Sequence, residues 1–243
     1  MISFQNVSKS YLVGHVPTSV LNNVSFDIDR GTALGICGAN GAGKSTLMRL
    51  AAGVEMPTSG RVQRTFSVSW PLGYSSAFQS SLTGADNTRF IARVYGKPID
   101  DTLAFVNDFA ELGRYFRMPV KSYSAGMSAR LAFAISLAVD FDCYLIDEVT
   151  AAGDARFRQR CHDALRERLA HSALIMVSHD PATLIDFCNG GAVLHGARLH
   201  RCESVEAALA MHHALQQGAH APCPPETDAS MPLVDDMPAS SNG

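Results

Sequence analysis

Apolar and polar residues alternate along Val20–Ile28, so that Val24, Phe26 and Ile28 share one face, and the stretch reads as a half-buried strand. Ile2–Tyr11 reads as its neighbour, with Gly14 and Pro17 breaking the chain between the two. Thr32–Cys37 is a short apolar run ending in a glycine-rich turn, and Lys44–Ala52 reads as a helix closed by Gly53 and Pro57. From about Thr83 to Tyr123 the pattern changes. Asn87–Tyr95 and Asp101–Leu112 look helical, Gly96-Lys97-Pro98 separates them, and no strong strand signal interrupts the block. It is expected to be a helical subdomain inserted in an α/β core. Ala129–Val139 is apolar nearly all round, as a buried helix is. Tyr144–Ile146 and Ala173–Val177 read as buried strands, Ala155–Ala170 as a charged helix, and Pro181–Cys188 as a short helix. Ala192–His195 and Arg198–His200 flank Gly196 as a small hairpin. Strands alternating with helices predict an α/β fold with a mostly parallel sheet.

The chain from Gly218 onward differs. It carries Pro222, Pro224, Pro225, Pro232 and Pro238, four acidic residues and no Lys or Arg. Such a segment buries too little apolar surface to order itself, so residues 218–243 are expected to be a disordered tail and 1–217 a single domain. At 47% hydrophobic residues, that domain has ample material for a core. A net charge of -3 and a pI of about 6.3 give no basic footprint, so no nucleic-acid partner is expected. The six cysteines contain no C-x-x-C pair, and Cys37 and Cys143 sit in apolar runs, which fits small core residues in a reducing compartment. The N-terminus, MISFQNVSKSY, lacks a signal-peptide pattern, and no uncharged apolar run reaches the length of about 18 residues that reads as a membrane span. Membrane association is expected to go through a partner.

Gly38-Ala39-Asn40-Gly41-Ala42-Gly43-Lys44-Ser45 fits G-x-x-x-x-G-K-[ST] fully, between an apolar strand and a helix. Glycines let backbone N–H groups close round phosphate oxygens, Lys44 brings charge to the terminal phosphates, and Ser45 offers a hydroxyl to Mg²⁺. Cys143-Tyr144-Leu145-Ile146-Asp147-Glu148 is a buried strand ending in two carboxylates. Alone it reads as well as an acidic helix cap. With the phosphate loop, Asp147 is expected to hold the Mg²⁺ shell and Glu148 to polarise the attacking water. His179, after the next strand, would orient the water or the γ-phosphate; alone it is an ordinary surface histidine. Ser124 is a good N-cap for the buried helix, whose N-terminus favours anions, and by itself it is only a cap.

The order of these parts resembles the nucleotide-binding domain of ABC transporters over nearly the whole chain to about residue 217. The resemblance implies a P-loop NTPase fold with an N-terminal antiparallel β part and a helical subdomain at about 83–125. It implies ATP and Mg²⁺ as ligands, held by the loop residues Gly38, Asn40, Gly41, Ala42 and Gly43 with Lys44, Ser45 and Thr46. It makes Ser124 and Gly126 the signature motif that touches the γ-phosphate bound by a second copy, so a homodimer is implied. Gln79 becomes the glutamine near Mg²⁺ that faces the membrane partner, Tyr11 the aromatic that stacks on adenine, and Asp154 a dimer-contact residue. Tyr11 reads equally well as a strand-end core aromatic. Where the family usually has Leu-Ser-Gly-Gly-Gln, this chain has Tyr123-Ser124-Ala125-Gly126-Met127, which predicts slower hydrolysis.

Tyr-Ser-x-Gly-Met, Phe78–Asn87, Ser67–Leu72, Arg89–Tyr95 and Ala138–Val149 narrow the resemblance to the ATP-binding subunits of Gram-negative capsular polysaccharide exporters. That implies an ATPase on the cytoplasmic face of the inner membrane, bound to an integral membrane permease, with the polysaccharide not expected to bind it directly. Related O-antigen exporters can carry an extra carbohydrate-binding domain, where this chain has a short helix and a tail. A soluble ABC ATPase usually has two nucleotide domains or a long coiled-coil insert. A P-loop kinase would need neither Gln79 nor Ser124-x-Gly126. Arg156, Arg158, Arg160, Arg166 and Arg168 read as a solvated helix face, His212 and His213 as lacking metal partners nearby in sequence, and Met48 and Met127 as packing or interface residues.

Overall fold

A computed structural model describes residues 1–72, 78–147 and 155–218. Two sheets organise it. β1 (Ile2–Val13), β2 (Val16–Ile28) and β4 (Ser59–Arg64) form an antiparallel sheet in the order β2-β1-β4. β3 (Ala33–Cys37), β5 (Val68–Pro71), β6 (Cys143–Asp147), β7 (Ala173–Val177), β8 (Gly190–His195) and β9 (Arg198–Cys202) form the second, ordered β5-β6-β7-β3-β8-β9 and parallel up to the closing β8–β9 hairpin.

The first hairpin is longer than its sequence pattern predicts. Gly14, at a φ of +64°, makes the turn, and Pro17 sits inside β2 opposite Leu12 rather than breaking the chain. β2 is an edge strand, where a residue without an N–H removes no ladder bond. Val24, Phe26 and Ile28 are all buried as expected, and Phe26 stacks on Phe4 at 4.5 Å. Together with β3 and the buried side of α1 (Lys44–Ala52) they form one half of the core.

The other half lies across the parallel sheet, around α4 (Ala125–Ala138). The helical insert packs there. α2 (Gly84–Val94) starts three residues before its expected beginning because Thr83 caps it, its Oγ1 accepting from the Asp86 N–H at 3.0 Å. α3 (Ile99–Ala110) follows, then two short 3₁₀ turns, Gly113–Arg117 and Val120–Ser122. Trp70, the only tryptophan, stands where insert and sheet meet. Its Nε1 donates to Ser136 Oγ at 2.8 Å, and its ring lies 5.7 Å from that of Tyr95 and 5.4 Å from that of Phe141.

α5 (Ala155–Leu169), α6 (Pro181–Phe187) and α7 (Val205–Gln216) complete the chain. Arg156, Arg158 and Arg166 of α5 are exposed, in keeping with the solvated face read in the sequence, while Arg160 and Arg168 are half-buried. Arg160 pairs with Asp108 and Glu111 of the insert, Arg166 with Asp186 of α6, and Arg168 with Asp140. The expected tail beyond Gly218 lies outside the described residues.

Glu55 ties β1 to α1. It accepts from Tyr11 Oη at 2.8 Å and Arg49 Nε at 3.0 Å, and pairs with Lys9 Nζ at 3.1 Å. Burial pushes this carboxyl up, but those three partners together outweigh it and bring it from 4.5 down to about 2. A depressed carboxyl stabilises the fold above its unfolded value and loses that contribution as pH falls through the folded one. Glu55→Gln is therefore expected to lower the melting temperature at neutral pH, with the gap to wild type closing between pH 4.5 and about 2. A gap that does not vary with pH would show that the charge contributes nothing.

Candidate functional site

β3 delivers the chain into the loop at Gly38, packed so closely that a Cβ there would lie 2.7 Å from the Leu194 carbonyl oxygen. The loop ends at Gly43, which caps α1 in the left-handed region at a φ of 106°. No side chain caps this helix, so its first N–H groups are left for a ligand. Lys44 is buried, and its Nζ donates to the carbonyls of Gly38 at 2.6 Å and Ala39 at 3.0 Å, folding across the loop. A cleft of about 310 Å³ opens at this point. It is lined by Asn40, Gly41 and Gly43 of the loop, Lys44, Ser45 and Thr46 of α1, Asp147 at the end of β6, and Val20 of β2.

Most of the predicted phosphate-site residues thus converge. Gly38 and Ala42 do not line the cleft; Gly38 sits against Leu194, and Ala42 packs against the N-terminal core. Val20 escaped the sequence reading. Nothing local marks it: it reaches the loop because Gly43 has no side chain, and a Cβ on Gly43 would lie 2.8 Å from Val20 Cγ1.

Tyr11 lies beside the site rather than in its lining. Its hydroxyl is 3.4 Å from Thr46 Oγ1 and is engaged by Glu55 and Arg49. Gln79 is exposed and also off the lining. Its N–H donates to Asn87 Oδ1 at 3.0 Å and its carbonyl accepts from Asn87 Nδ2 at 3.2 Å, which pins it to α2. His179 is exposed just past β7. Burial first, and then the charge of Lys44, hold the His212 imidazole of α7 below its ordinary range. Cys37, directly before the loop, is an inert core thiol: burial, with Cys202 adding to it, pushes it up to about 11 despite Lys44.

Ser124 and Gly126 are elsewhere. Ser124 is exposed at the tip of α4, and its Oγ accepts from the Met127 N–H at 3.2 Å. A Cβ on Gly126 would meet only Ser124 Oγ, at 3.9 Å. Neither residue lines the cleft of its own chain. Met127 is half-buried against the core and Met48 is fully buried, as packing residues are. Glu148 and Asp154 lie outside the described residues. Among the described residues no helix is long and apolar enough to cross a membrane.

Residues 21–151, more than half of the chain, match the family model described as ABC transporter. The capsule polysaccharide export ATP-binding protein CtrD of Neisseria meningitidis serogroup B is 50% identical over 215 residues, which cover 88% of this chain and 100% of that protein. The ATP-binding protein BexA of Haemophilus influenzae is 48% identical, over 89% of this chain and 100% of that one. Among solved structures, a dimeric ATP-binding cassette in a post-hydrolysis state bound to ADP and Pi shares the fold, with a TM-score of 0.74 at 22% identity over 84% of this chain and 99% of that one. The phosphate loop, the two-sheet core with its helical insert and these likenesses lead to one conclusion: the chain belongs to the ABC transporter family, among the capsule polysaccharide export ATP-binding proteins.

Proposed function

We propose that this chain is the ATPase subunit of a capsular polysaccharide exporter, working as a homodimer on the cytoplasmic face of the inner membrane and driving a separate integral membrane permease. One observation carries the dimer. Ser124 is exposed at the tip of α4 and does not line the phosphate-type cleft of its own chain, which supports its addressing the nucleotide of a second copy.

In that arrangement the uncapped amides of α1 and Lys44 hold the β- and γ-phosphates of ATP. Ser45 and Asp147 share the cleft, one offering a hydroxyl and the other a carboxylate oxygen. Hard oxygen donors of this kind suit Mg²⁺, which takes few protein ligands when phosphates supply the rest. When bound, the ion neutralises charge on the transferring phosphate. Gln79, exposed and off the cleft lining, would join this shell from the side of α2. Glu148 accepts a proton from the attacking water and His179 orients it. Gly41, Gly43 and Asn40 shape the cradle, and Tyr11 and Val20 flank the side where the base leaves the phosphates. Ser124 and Gly126 of the second copy complete the γ-phosphate contacts, with Asp154 at the seam between copies.

The permease is assigned to the insert. Phe90 and Val94 stand 60% and 58% exposed on one face of α2, the helix that also holds Gln79. A depression of about 190 Å³ between α2, α3 and the 113–117 turn, lined by Arg89, Leu103, Phe116 and Arg117 among others, lies in the same insert. A cytoplasmic helix of the permease docking there would feel each movement of Gln79. The polysaccharide itself need not touch this chain. Fractionation tests the reading. The protein expressed alone should stay soluble and move to membranes when its permease is co-expressed. Recovery in the soluble fraction with the permease present, together with phosphorylation of a small metabolite, would replace transport with a kinase reading.

A further inference from the structure

Three helices meet at one carboxylate. Glu111 closes α3 with a φ of 51°, a left-handed conformation uncommon for a residue with a side chain. Its carboxylate lies 3.1 Å from Arg160 and 3.5 Å from Arg156, both on α5, and 3.6 Å from Arg130 on α4. Arg160 also reaches Asp108 Oδ2 at 2.5 Å and donates to the Asp108 carbonyl at 3.1 Å. Beneath the charges the same helices interlock through rings. Arg130 covers Phe157 at 4.4 Å, Arg160 covers Phe109 at 4.8 Å, and Phe109 meets Phe157 edge-on at 5.8 Å. An isolated exposed ion pair contributes little, but a shared carboxylate over an aromatic joint fixes geometry.

The two helices it joins start at the two ends of the chemistry. α4 begins at Ser124, which addresses the nucleotide of the other copy. α5 begins at Ala155, directly after Glu148 and Asp154 in sequence, the first of which is assigned above to the chain's own nucleotide. We propose that Glu111 is a positioning residue that couples the two nucleotide sites of the dimer, by fixing α4, which Ser124 caps, relative to the start of α5. The inference rests on the two-copy reading above. Glu111 touches no nucleotide; it transmits the state of one site, through its arginines, to the other.

The test uses full-length protein and steady-state ATPase rates over a range of ATP concentrations, with binding of a fluorescent ATP analogue measured in parallel. Wild type is expected to give a Hill coefficient approaching the number of sites, about 2. Glu111→Gln keeps the shape and removes the charge. Glu111→Gly removes the carboxylate but suits the left-handed backbone, so it covers the case in which the first variant folds poorly. Both should bind the analogue as wild type does, lose about five-fold in kcat and fall to a Hill coefficient of about 1. A merely structural role would lower the melting temperature and leave the Hill coefficient of the folded protein where it was, which overturns the proposal. A wild-type Hill coefficient of about 1 would overturn this proposal, since there would be no coupling to transmit, whereas protein that stays monomeric with ATP would sink the two-copy reading itself.

Discussion

Ser124→Arg protein is expected to bind ATP as tightly as wild type and to lose about two to three orders of magnitude in turnover, the loss typical when a donor aimed at developing charge is removed. Binding survives because Ser124 does not line the cleft of its own chain. Turnover fails because the side chain that replaces it fills the space where the second copy's γ-phosphate must sit. The serine also caps α4 through the Met127 N–H. Losing that cap costs about 1 kcal/mol of helix stability. Ser124→Ala loses the same cap and the same hydroxyl donor but leaves the space open, so the rate difference between the two variants measures the bulk of the arginine alone. Equal rates for Ser124→Arg and wild type would show that the tip of α4 has no part in hydrolysis.

Gly43→Ala is expected to weaken ATP binding by about one to two orders of magnitude, judged from the strain of about 1–3 kcal/mol that an unfavourable backbone region carries. Two penalties coincide there. The φ of 106° is one that side chains rarely adopt, and the new Cβ would meet Val20 Cγ1 at 2.8 Å and the Val20 carbonyl oxygen at 3.0 Å. Neither neighbour yields cheaply: one belongs to a β-branched side chain and the other to the backbone of β2. The loop must shift, and the N-terminal amides of α1 shift with it. Gly41→Ala is the internal control. Gly41 has a φ of +79° but nothing within 4 Å of a Cβ, so only strain remains and the loss should be smaller. Calorimetric titration with ATP ranks the two, and a Gly43→Ala protein with wild-type affinity would exclude this loop as the phosphate cradle.

What the sequence made legible is what local physics decides. Lys44–Ala52 forms with its predicted ends, since a glycine cradle before it and Gly53 after it set both boundaries. The buried face of β2 and the all-round apolar α4 follow from periodicity alone. β4 was invisible because Ser-Gly-Arg-Val-Gln-Arg has almost no apolar pattern and is a strand only through its pairing with β1. Pro17 concealed the start of β2, since its tolerance depends on edge position, a tertiary fact. At the site, the loop motif located Lys44, Ser45 and, with the following strand, Asp147. Val20 and the placement of Tyr11 against Glu55 and Arg49 depend on how the first sheet leans on α1, which no spacing encodes. The arginines of α5 were legible as a largely exposed face, but their ion pairs were not. The partners of Arg160 and Arg166 are 52 and 20 residues away in sequence, so no local pattern shows that this face also bridges to other elements.

The chain's lone indole has a use beyond packing. Trp70 belongs to the sheet, yet one of its ring neighbours, Tyr95, ends the first helix of the insert. Rotation of the insert against the sheet would change that contact and, with it, the emission of the single tryptophan. Trp70 is therefore an intrinsic optical gauge of any such rotation, usable in a stopped-flow instrument without any attached dye.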